Sequence, residues 1–143
     1  MLDKKYNFIE KEQKWLNYWK EKHIYQFKPD HRKVYSIDTP PPTVNGKIHI
    51  GHIFSYSQAE MIARYKRMRG YNVFYPFGFD DNGLPSERLV EKEQGKKAHE
   101  IGREKFSDLC YKTTDKYEEE FQELFSRLGV STDWSMHYKT VSP

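Results

Sequence analysis

Three consecutive prolines, Pro40, Pro41 and Pro42, constrain this chain more than any other feature. Proline has a fixed φ and no N–H to give, so neither a helix nor an inner sheet ladder runs through the triplet. The residues before it, Val34 to Asp38, are short, apolar and β-branched at two positions, and read as a strand ending at Thr39. After it the period changes. From Gly51 onward Phe54, Met61, Ile62, Tyr65 and Met68 recur at helical spacing, and Gly70 stands where a left-handed terminating residue belongs. Asn72 to Tyr75 reads as a second strand, broken by Pro76 and Gly78.

Strand, helix and strand within about 40 residues form a βαβ unit with parallel strands, so the fold class is α/β. Ligands of such sheets bind beyond the carboxyl ends of the strands. Two loops leave those ends, Thr39 to Ile50 and Phe77 to Pro85, and unusual chemistry belongs in them. Upstream, Asn7 and Glu10 suggest a reciprocal cap on a helix reaching about Lys22, with Phe8, Trp15, Leu16 and Trp19 on one face and Lys28-Pro29-Asp30 as a linker. Downstream, Ser86 to Glu93 resembles a capped helix start. Residues 98 to 128 then predict one amphipathic helix carrying Phe106, Leu109, Thr113, Tyr117, Phe121, Leu124 and Leu128, closed by Gly129.

A length of 143 residues suits one domain or part of one. The apolar complement is low for a globular chain, yet 16% of the residues are aromatic, which argues against disorder. Cys110 is the single cysteine, excluding an internal disulfide and any zinc site built on several thiolates. No apolar run approaches membrane-spanning length and the start lacks a signal core, so a cytoplasmic location with no membrane partner is expected. A net charge of +3 is compatible with an anionic partner without requiring one.

The first loop holds PPPTVNGKIHIGH, residues 40 to 52. His49 and His52, at the opening of the helix, lie three residues apart on one face, where backbone N–H groups and the positive dipole end favour an anion. Gly51 between them leaves room for a flat ring on the backbone. A histidine pair near a helix start is more often a capping or packing pair, and His-x-x-His as a zinc site lacks its third ligand. Gly46-Lys47 lacks the rest of a P-loop and no G-x-G-x-x-G is present, so phosphates fall to the histidines. In the second loop, Asp81-Asn82-Gly83 has a ready explanation as turn chemistry, whereas Asp80 is free to bind a ligand's ammonium. The basic run Arg64, Lys66, Arg67 and Arg69 is explained by the dipole at a helix end without invoking nucleic acid.

PPPTVNGKIHIGH, a helix ending RYKRMRG, and FYPFGFDDNGLPSERLVEK together resemble the start of the catalytic domain of a class I aminoacyl-tRNA synthetase, most closely its valyl branch. The resemblance implies the first half of a Rossmann-type parallel-sheet nucleotide-binding domain over residues 34–143, truncated, behind an N-terminal helical extension at 1–33. It implies that His49 and His52 contact ATP phosphates during adenylate formation, and that Thr43, Asn45, Gly46 and Gly51 line the nucleotide site. Pro41 and Pro42 then shape a small amino-acid pocket, and Asp80 anchors the α-ammonium. The implied partners are L-valine, tRNA and ATP with magnesium as a substrate, with no resident metal. An isoleucyl relative and a stand-alone nucleotide-binding module are the alternatives. The family's KMSKS loop does not occur, so an N-terminal fragment is expected.

Overall fold

The computed structural model describes residues 5–141. Val34–Ser36 forms β1 and Asn72–Phe74 forms β2, paired in parallel with Val34 opposite Asn72 and Ser36 opposite Phe74. The Ile37 N–H adds one bond to the Phe74 carbonyl before the prolines end the strand. Between the strands runs α2 (Ile50–Met68), and Gly70 beyond it takes the expected left-handed φ of +81°. The βαβ unit read from the sequence is therefore present.

A second parallel pair was not foreseen. Gly78–Phe79 forms β3 and Tyr138–Lys139 forms β4. Two-residue strands carry no readable period, and this pair joins segments about 60 residues apart in the chain. Its close approach depends on Gly78, where a Cβ would overlap the Tyr138 ring.

The N-terminal helix α1 (Phe8–Glu21) is capped by Asn7, whose side chain accepts the Glu10 N–H at 3.4 Å. Glu10 meets the Asn7 side-chain amide, not a backbone N–H, so the cap is one-sided. The expected common face is divided: Leu16 and Trp19 are half-buried, while Phe8 and Trp15 are exposed. After β3, α3 (Leu84–Gln94) begins at Gly83 with Pro85 in its first turn. Ser86 does not cap it; it is buried and donates to the Val44 carbonyl at 2.9 Å.

The single helix expected over 98–128 is broken at Gly102, φ +91°, into α4 (Ala98–Ile101) and α5 (Arg103–Arg127). Phe106, Thr113, Tyr117 and Phe121 are buried as the spacing required, joined by Phe125. Leu128 is exposed, and Leu109 and Leu124 are half-buried.

Aromatic rings make the core. Phe77 lies 5.3 Å from Tyr56, 5.4 Å from Phe79, 5.1 Å from Phe125 and 5.0 Å from Trp134. Rings of this size supply buried area that the low aliphatic content does not. The stripe by which α2 was recognised faces outward: Phe54, Met61, Ile62, Tyr65 and Met68 are all exposed, Met68 at 86%. The inner face of α2 is instead Tyr56, Glu60 and Ala63.

Glu60 explains why a charged face can be buried. It accepts from the Ser131 N–H at 2.7 Å and hydroxyl at 3.0 Å, and pairs with Arg64 at 2.5 Å. Arg64 also donates to the Gly129 carbonyl and lies over Trp19 and Tyr25. Arg67 grips the hydroxyl and carbonyl of Ser131, and Lys66 sits 4.3 Å above Tyr35. Three of the four basic residues are thus committed to tying α2 to the chain around 129–131 and to nearby aromatic rings. That is a larger role than dipole compensation, and Arg69 alone of the four is left exposed.

Candidate active site

The two loops that leave the parallel strands are zipped together by backbone. The Asp80 N–H donates to the Pro42 carbonyl at 3.0 Å and the Val44 N–H to the Asp80 carbonyl at 2.7 Å, making Thr43 and Asp80 a parallel bridge. The Thr43 hydroxyl completes it, donating to Asp80 Oδ2 at 3.0 Å. Pro42 is buried, and Pro41, Thr43 and Asp80 are half-buried. Four of the residues singled out in the sequence therefore stand together. Pro40 joins this assembly to α2 by accepting the Tyr56 hydroxyl, and burial pushes the Tyr56 phenol well above its ordinary pKa. Asn45 is exposed, its N–H turned back to the Thr43 carbonyl at 3.0 Å, and Gly46 follows with φ +138°.

His49 and His52 open α2 as each other's partners. His49 Nδ1 accepts the Gly51 N–H at 3.1 Å, and His52 Nδ1 accepts the His49 N–H at 3.4 Å. Their rings lie 4.1 Å apart between centroids. Two corrections follow. The Gly51 N–H is occupied by an imidazole, so it does not wait for an anion. The flat ring that Gly51 accommodates is that of His49, whose atoms would lie 3.0 Å from an added Cβ.

The same bonds determine the tautomer. A ring nitrogen that accepts a hydrogen bond bears no proton, so each neutral imidazole carries its hydrogen on Nε2. Among the described residues neither Nε2 has a hydrogen-bond partner. Burial, and then the neighbouring His49, lower the His52 pKa and favour this neutral form. The arrangement presents two Nε2–H donors at a helix start, which suits an oxyanion.

Asp80 and Asp81, adjacent in sequence, differ in place. Asp80 is half-buried with Thr43 on one oxygen. Asp81 is 5% exposed and is not a turn residue. Its Oδ1 accepts from the Thr140 hydroxyl at 3.0 Å and the Val141 N–H at 3.3 Å, and its own N–H donates to Thr140 Oγ1 at 3.1 Å. Thr140 also lies 3.3 Å from Asp80 Oδ1. Sequence reasoning missed Thr140, because nothing local links it to a loop about 60 residues earlier. It also missed Glu118, for which a signal existed: an acidic residue three positions before Phe121 on the buried stripe of α5.

The family described as tRNA synthetases class I (I, L, M and V) matches residues 14–143. The chain belongs to the class I tRNA synthetases. It is 51% identical over 142 residues to the valine–tRNA ligase of Rickettsia conorii and 52% identical to that of Rickettsia canadensis, covering 98% of this chain. It spans 18% of the length of each of those relatives. The crystal structure of a LeuRS-tRNA-LeuAMS ternary complex from Agrobacterium radiobacter K84 superposes with a TM-score of 0.81 at 27% identity, covering 97% of this chain and 16% of that one. The parallel strands and helices of this class I synthetase chain are accordingly part of a Rossmann-type catalytic domain. Among the described residues no helix is long and apolar enough to cross a membrane.

Proposed function

We propose that the protein containing this chain is a valine–tRNA ligase, which joins valine to ATP as valyl-adenylate and transfers the valyl group to tRNA. The observation that carries the reading is the Thr43–Asp80 bridge, which sets a half-buried carboxylate beside a proline-walled loop. The similarity to valine–tRNA ligases along nearly the whole chain supports the choice of amino acid.

In this reading Asp80 holds the α-ammonium of valine by a charge-assisted hydrogen bond, with the Thr43 hydroxyl fixing the rotation of the carboxylate. Pro41 and Pro42 form the wall against which the short side chain packs, their fixed φ keeping the pocket small. The valine carboxylate attacks the α-phosphorus of ATP, forming the mixed anhydride and breaking the bond to pyrophosphate. Negative charge grows on the phosphate oxygens, and His49 and His52 stabilise it through Nε2–H. Thr43, Asn45 and Gly46 line the nucleotide, whose magnesium travels with the triphosphate. The segments divide as an N-terminal helical extension at 1–33 and a catalytic portion at 34–143, and the enzyme works in the cytoplasm.

The test is pyrophosphate exchange by the full-length protein with valine and with isoleucine, followed by charging of tRNA. Exchange that depends on valine and is much weaker with isoleucine is the expected result. Equal or greater exchange with isoleucine would overturn the choice of amino acid, and no exchange with either would overturn the ligase reading.

A further inference from the structure

Glu118 on α5 is 6% exposed and Asp81 after β3 is 5% exposed, and their carboxyl groups lie within hydrogen-bonding reach of each other. Lys139 on β4 pairs with Glu118 Oε2 at 2.7 Å, but it also serves Asp115 at 2.6 Å. Thr140 and Val141 take Asp81 Oδ1. One oxygen remains on each side, Glu118 Oε1 and Asp81 Oδ2, and both are buried with no donor among the described residues. Asp81 also borders a cleft of about 490 Å³ shared with Glu87, His99 and Arg103. None of those three hydrogen-bonds either carboxyl among the described contacts.

Two ionised carboxylates in this position would repel in a weakly screened interior, with half a lysine between them. A single proton removes the difficulty and gives both orphaned oxygens a partner. We propose that Glu118 and Asp81 share one proton, Glu118 Oε1–H donating to Asp81 Oδ2, and that this acid pair positions Asp80 through Thr140. Glu118 touches no substrate; it is a positioning residue. Burial, with Asp81 beside it, lifts the Glu118 carboxyl to about 6 against the pull of Lys139. The pair therefore keeps its proton below that pH and loses it above. Once both groups are charged, Asp81 is pushed from Glu118, its hold on Thr140 weakens, and the Asp80 carboxylate gains freedom.

The proposal rests on the reading of Asp80 as the ammonium anchor, and two measurements on the full-length enzyme keep the two apart. In E118Q the side-chain amide donates to Asp81 permanently while its oxygen still accepts from Lys139. Its KM for valine in pyrophosphate exchange should stay level from pH 5.5 to 8, whereas that of the wild type rises about fivefold over the same range, with kcat alike in both. E118L, which offers no donor at any pH, should show a KM that does not change with pH, about fivefold above the wild type at pH 5.5 and level with it at pH 8. The second measurement needs no substrate. An infrared difference spectrum between pH 5 and 8 should lose a protonated-carboxyl band in the wild type that E118Q lacks.

Parallel KM profiles for wild type and E118Q would overturn the positioning role, and absence of the infrared band would overturn the shared proton, even if E118L fails to fold. Should valine support no exchange, the reading of Asp80 falls, while the infrared comparison still decides the acid pair.

Discussion

The histidine turn at the start of α2 is held by two bonds between neighbours, whereas the carboxylate loop after β3 is held by residues from two distant segments. His49 and His52 each fix one backbone N–H within three residues, and His49 stays exposed. Asp80 and Asp81 are fixed by Pro42, Thr43, Val44, Thr140 and Val141. The contrast matches the two tasks proposed for these loops. A site that must choose one amino acid gains from a carboxylate whose position is set before binding. Imidazoles that meet a phosphate chain as its charge grows need donors of the right polarity, and local bonds suffice to set the tautomer.

The largest effect that would break the comparison lies on the histidine side. His52→Ala should lower kcat for adenylate formation by two to three orders of magnitude, on the order of 3 kcal/mol, with the KM for valine little changed. An unchanged rate at saturating ATP would leave the turn a mere cap. On the carboxylate side, Gly78→Ala should destabilise the catalytic domain by roughly 2–3 kcal/mol, seen as a lower thermal midpoint, because the new methyl overlaps Tyr138 and prises β4 from β3. Thr43→Val, which keeps the shape and removes the bond to Asp80, should cost about 1 kcal/mol, a roughly fivefold rise in the valine KM with kcat preserved.

The smallest effect sharpens the electrostatics of the turn. Burial and His49 hold the His52 pKa below the usual 6.5, so protonation, which would destroy the Nδ1 acceptor, comes only below that value. Support from this cap is complete above pH 6.5 and is lost as pH falls through the lowered folded pKa. Adenylate formation should accordingly hold its rate from pH 8 to 6.5 in a pH-rate profile, and an acid limb beginning above 6.5 would contradict the neutral tautomer.

What was legible in the sequence was local. The β1–α2–β2 unit could be read because prolines, glycines and a helical period mark each boundary within a few residues, and the pairing of the two loops followed from the rule for parallel sheets. Gly102 is legible as a breaker by residue type, but it sits next to a long amphipathic stretch whose period masks the break. The inner face of α2 was not legible, because its buried Glu60 is compensated by Arg64 and Ser131, the latter about 70 residues away, while the apolar stripe faces outward. Asp81 was misread for the same reason. Asp-Asn-Gly is ordinary turn chemistry until Thr140 and Glu118 arrive from elsewhere in the chain.

The direct test of the division within the carboxylate loop is the valine KM of Asp80→Asn beside that of Asp81→Asn, measured by pyrophosphate exchange with the full-length enzyme. Asp80→Asn removes the charge proposed to meet the ammonium and should raise KM on the order of 100-fold, near the upper range for a hydrogen bond to a charged group. Asp81→Asn keeps an acceptor for Thr140 and gains a donor toward Glu118, so its KM should stay within about threefold of the wild type. The reverse outcome, with Asp81→Asn abolishing valine binding and Asp80→Asn leaving it intact, would contradict the account.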